Sequence, residues 1–75
     1  INPKAPLHIL VIPKKHIQSV DHVEAEDADI MGKLIFAIQK IAKQNDLPGY
    51  KLQVNVGKAG GQVVDHLHYH ILAEK

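Results

Sequence analysis

Three histidines alternate over five positions near the end of the chain: His66, His68 and His70. An imidazole offers a nucleophilic lone pair and a proton donor near neutral pH. A row of imidazoles therefore points to nucleophilic attack, proton transfer or metal ligation. On a strand, side chains two residues apart share a face and stand roughly 6.6 to 6.8 Å apart, and the outer pair about twice that. Two neighbours can share a metal, but a straight strand holds three too far apart for one ion. A nucleophilic histidine needs one nitrogen held by an acceptor and a free lone pair on the other. Flanking imidazoles can contact phosphate oxygens and move protons. The spacing suits phosphoryl chemistry better than a three-histidine metal site. Ligation by His66 and His68, with Asp65 adjoining, is the metal alternative.

The elements that must position these residues are legible from periodicity. Ile1 to Pro6 contains two prolines and reads as an extended lead-in. Leu7 to Ile12 is an apolar run ended by Pro13, which predicts a strand covered on both faces. From about Val23 to Asn45, Met31, Leu34, Ile35, Ile38, Ile41 and Ala42 recur at three- and four-residue steps, the stripe of one long helix. Asp21 and Glu24 have capping-box spacing, and Asn45 to Gly49 stops the helix. Lys51 to Val56 alternates as a half-buried strand, Gly57 to Gln62 is a glycine-rich loop, and Val63 to Leu72 is the last strand. The expected class is α+β, an antiparallel sheet with one long helix packed on one face.

If that helix covers Leu7, Ile9 and Val11, with Leu52, Val54 and Val56 and Leu67, Tyr69 and Ile71, the opposite face collects another set. It holds His8, Asn55, His66, His68 and His70. His16 and His22, beside the helix start, read as ordinary surface residues or satisfied polar groups.

Composition sets bounds on function. Seventy-five residues make one domain with a limited core. With no cysteine, neither disulfides nor thiolate zinc sites apply. A net charge of +1 from interspersed acids and bases gives no nucleic-acid footprint. No apolar run is long enough to span a bilayer, and no secretory pattern opens the chain. The expectation is a cytoplasmic protein with neither membrane nor nucleic acid as partner.

Gly60-Gly61-Gln62-Val63-Val64-Asp65-His66-Leu67-His68-Tyr69-His70-Ile71-Leu72 resembles the signature of the histidine-triad family of nucleotide-binding proteins. Pro3 to Ile17 is similar to that family's other recurrent block, and Val54-Asn55-Val56-Gly57 to the strand before its loop. The resemblance covers essentially the whole chain and is closest to the purine nucleoside phosphoramidase-like branch. It implies that residues 1–75 are the C-terminal catalytic part of a single such domain. A family N-terminal helix and hairpin, which line the base and ribose, would lie outside this chain.

The resemblance also implies roles. His68 would attack the α-phosphorus of a purine nucleotide and form a nucleotidyl-histidine, which water then hydrolyses. His66 would orient His68, and His70 would contact the phosphate. Asn55 would bind ribose and phosphate, Gly61, Gln62 and Val63 would wrap the phosphate, and His8 would lie under the triad. No metal or other cofactor is implied, and the assembly implied is a homodimer. Val63 stands where the family often has a hydroxyl residue, so only its backbone amide is available there. Two other readings remain open: a nucleotide-binding regulatory module with little turnover, and a metal-binding protein using paired histidines.

Overall fold

The computed structural model describes residues 6–74. The expected lead-in lies outside the described residues except for Pro6, which already opens the first strand. The elements are β1 (Pro6–Val11), α1 (Ala28–Gln44), β2 (Lys51–Gln53) and β3 (Tyr69–Glu74), with short 3-10 turns at Val20–His22, Ala25–Asp27 and Lys58–Gly60. The sheet order is β1-β3-β2, and both pairings are antiparallel. The histidine-bearing strand β3 is thus the central one.

The expected layering is present. Leu34, Ile38 and Ala42 are the buried residues of α1, and Leu34 and Ile38 form a core with Val11 of β1 and Ile71 of β3. Ile9, Met31, Ile41, Leu47 and Tyr69 pack around it. Ile38, Leu67 and Ile71 are the largest side chains removed almost completely from water. Each such side chain contributes roughly 1.5 to 3 kcal/mol of burial. The helix stops where expected. Asn45 Nδ2 donates to the Ile41 carbonyl at 2.8 Å, and Asp46 takes the left-handed conformation at φ 54° that reverses the chain.

Four expectations on extent need correction. The α-helix begins at Ala28, not near Val23, because the intervening segment winds into two tight turns. The capping box is formed by Glu24 and Asp27 rather than Asp21 and Glu24. The Glu24 amide donates to Asp27 Oδ2 at 3.0 Å, and Lys15 Nζ holds Asp27 Oδ1 at 2.5 Å. β1 is covered on one face only within the described residues, since Leu7, Ile9 and Val11 turn inward while His8 and Leu10 are exposed.

The fourth concerns the last two strands. β3 starts at Tyr69, not Val63, and β2 ends at Gln53, not Val56. One cause serves both. Residues ahead of Tyr69 leave the sheet to bond with the connection after β1: the Leu67 amide donates to the Ile17 carbonyl at 2.6 Å. Val54 to Val56 then lack a ladder partner.

Candidate active site

Of the three alternating histidines only His70 lies in β3; His66 and His68 sit in the irregular approach to it. The three side chains therefore do not form one straight row. In the β1–β3 register Leu10 lies opposite His70 and His8 opposite Leu72, which brings the His8 and His70 rings to one sheet face. Their centroids are 4.9 Å apart, and His8 Nε2 lies 2.7 Å from His70 Nδ1. The His68 ring meets His70 edge-on at 4.9 Å.

His68 Nδ1 lies 2.7 Å from the His66 carbonyl oxygen. A carbonyl can only accept, so Nδ1 carries the proton and donates it. In the neutral ring Nε2 then holds a free lone pair. The contact from His66 to His68 thus runs through the His66 backbone carbonyl. The His66 ring turns the other way: its Nε2 donates to the Pro13 carbonyl at 3.2 Å, and it packs against His16 at 4.8 Å. His66 and His68 are not set to share a metal in this arrangement.

His70 is the perturbed group. Burial of its ring, then the neighbouring His68 and His8, push its pKa below the ordinary histidine value of 6.5. At neutral pH it is uncharged. Its Nε2 is buried without a hydrogen-bond partner among the described residues. When His8 donates to His70 Nδ1, that Nε2 carries a hydrogen to offer to a ligand oxygen.

The loop after β2 supplies the other residues. Asn55 accepts from Gln53 Nε2 at 3.3 Å, and its side-chain amide lies against Gly61, where a β-carbon would meet it at 3.8 Å. Gly57 and Gly61 have φ of 69° and 90°, values that L side chains rarely adopt, so the turn depends on them. Gln62 is buried and Val63 is 92% exposed. The Val63 side chain lies in solvent.

The structure thus joins His8, His70 and His68 through their rings, His66 to His68 through the backbone, and Asn55 to Gly61. His16, read as a surface residue or a satisfied polar group, touches His66. His22, read the same way, lies 2.7 Å from the hydroxyl of buried Ser19. The carbonyls of Pro13, Ile17 and Gln18 were not legible as site supports, because backbone partners carry no side-chain signal. A hollow of about 420 Å³ lies between the end of β1 and α1, lined by Ile12, Lys14, Lys33 and Ala37 among others. It contains none of the histidines and is not the site.

The HIT domain model matches residues 1–75. Protein HitA of Neisseria gonorrhoeae is 48% identical over 73 residues, which are 96% of this chain and 68% of that protein. A HIT family hydrolase from Legionella pneumophila superposes with a TM-score of 0.87 at 40% identity, over 95% of this chain and 65% of that one. A histidine triad nucleotide-binding protein from Candida albicans gives 0.80 at 31% identity, over 97% of this chain and 55% of that one. The chain spans between about half and two thirds of the length of these proteins.

Proposed function

The chain belongs to the HIT-domain family, and from that premise we propose that it is a nucleotide-binding hydrolase or transferase with His68 as its nucleophile. The hydrolase from Legionella pneumophila and the nucleotide-binding protein from Candida albicans support the class. The observation that carries the mechanism is the bond from His68 Nδ1 to the His66 carbonyl, which leaves Nε2 as the attacking atom. The substrate proposed is a purine nucleoside phosphoramidate or phosphoanhydride.

In the first step a bond forms between Nε2 and the α-phosphorus, and the phosphorus–nitrogen bond to the leaving amine breaks. The amine departs as a neutral amine, taking its proton from solvent, while uncharged His70 offers its Nε2–H as a hydrogen bond to a phosphate oxygen and gives up no proton. In the second step water attacks the phosphorus, the histidine–phosphorus bond breaks, and the nucleoside monophosphate leaves. The phosphate is held by His70, the backbone of Gly61 to Val63 and Asn55, and His8 sets the His70 tautomer from below. Neither step calls for a metal or other cofactor. The same reading places the protein in the cytoplasm as a homodimer.

His68→Ala is expected to lower turnover of adenosine phosphoramidate by more than about a thousandfold, since removing a covalent nucleophile removes most of the acceleration. His66→Ala keeps the carbonyl that orients His68 and is expected to retain far more activity. Steady-state kinetics of the two variants check this. Activity of His68→Ala within threefold of wild type contradicts the assignment.

A further inference from the structure

The loop that carries Gly61, Gln62 and Val63 is closed from inside by one side chain. Gln62 is 5% exposed. Its Oε1 accepts the Gly57 amide at 2.9 Å, while its own backbone amide donates to the Gly57 carbonyl at 2.9 Å. The two bonds clamp the loop ends together as a ring. Its Nε2 donates to the Val64 carbonyl at 2.8 Å and to the Gln18 carbonyl at 2.7 Å. A primary amide has two N–H donors, so both are spent on backbone and neither faces outward.

The Gln18 contact lies beside two others. The connection after β1 also holds the Leu67 amide through Ile17 and the His66 ring through Pro13. Three successive anchors therefore run along one segment, at Gln62, His66 and Leu67, and His68 follows directly. The Val64 carbonyl that accepts from Gln62 also accepts the His66 amide at 2.9 Å. One bond thus separates the Gln62 amide from the peptide that leads into the histidines.

We propose that Gln62 is a positioning residue that acts through the loop backbone, rather than a side chain that touches the ligand. Its amide sets the shape of the Gly57–Val64 loop and locks that loop to the segment that anchors His66. The kinetic part of its test rests on the hydrolase reading above; the spectroscopic part does not.

The test uses the whole protein. In wild type, NMR is expected to show scalar coupling across hydrogen bonds from Gln62 Nε2 to the carbonyl carbons of Gln18 and Val64. Added AMP is expected to shift the backbone amides of Gly61 to Val63 and leave the Gln62 side-chain signals in place. Gln62→Met keeps the volume and loses the bonds. It is expected to lower kcat by about ten- to a hundredfold through misplacement of the reacting groups, with KM within about threefold of wild type. A freely exchanging Gln62 side-chain amide without couplings overturns the proposal. So does a Gln62→Met variant with unchanged kcat and a KM raised about tenfold or more, the mark of a lost binding contact. If Gln62→Met does not fold, or wild type does not turn over phosphoramidate, the couplings decide the matter alone. The second of these outcomes counts against the hydrolase reading and not against the clamp.

Discussion

At the scale of single residues, the site is a set of imidazoles whose protons are placed by backbone carbonyls and by one another. His70 gives this a consequence for stability. Its folded pKa lies below 6.5 because burial and the adjoining His68 and His8 disfavour its charged form. The unfolded chain therefore binds more protons than the folded one between the two values. The stabilising contribution is fully present above about 6.5 and is lost as pH falls through the lower folded value. Urea midpoints are expected to fall as pH drops below 6.5, with a shallower fall in His70→Asn. Equal slopes for the two proteins contradict the assignment. The residues of this site were legible to an unequal degree. His8 and His70 follow from alternation, because side chains on paired strands share faces, whereas His68 reaches His70 from the irregular approach to the strand. The turn of His66 toward His16 and Pro13 does not, because it depends on where the strand ends.

At the scale of elements, the alternation gave the right faces and the wrong lengths. Leu67, Tyr69 and Ile71 point inward as expected, yet β3 begins only at Tyr69. A hydrophobic pattern reports which side of the chain is buried, and an irregular segment buried against a loop satisfies it as well as a strand does. The helix start was misplaced for a related reason. The acidic cluster of Glu24, Glu26 and Asp27 favours a helix N-terminus anywhere along it, and the tertiary contact from Lys15 selects Asp27. Lys15 holds the Asp27 carboxyl below its ordinary pKa, and Asp27 holds the Lys15 ammonium above its own. That contact ties the start of α1 to the segment that anchors His66. Asp27→Ala removes the capping acceptor and leaves Lys15 without its buried partner. Its melting temperature is expected to fall by several degrees, by calorimetry, while Asp21→Ala stays near wild type. Equal losses in the two variants contradict the assigned box.

At the scale of the whole molecule, one α-helix covers one face of a three-stranded sheet among the described residues, and some apolar side chains remain exposed. Leu52 on edge strand β2 is 42% exposed, and Phe36 on α1 is 70% exposed. A core this small benefits from a partner, and an edge strand with apolar residues invites one. The proposed homodimer is expected to give twice the chain mass by light scattering at micromolar concentration; a stable monomer contradicts it. Among the described residues no helix is long and apolar enough to cross a membrane. The fold class and the family were legible because sheet faces and the histidine signature are both written in local sequence. Assembly and substrate are not written there, since they depend on the shape of whole surfaces rather than on a short local pattern.

The central claim is that His68 forms a covalent bond to phosphorus. Wild-type protein mixed briefly with adenosine phosphoramidate and quenched in base, which spares phosphorus–nitrogen bonds to imidazole, allows that bond to be seen by mass spectrometry. The expected result is an adduct of one adenylyl group per chain, mapped by peptide fragmentation to His68 and absent from His68→Ala. Turnover without any adduct at the earliest quench times, or an adduct mapped to His66 or His70, contradicts it.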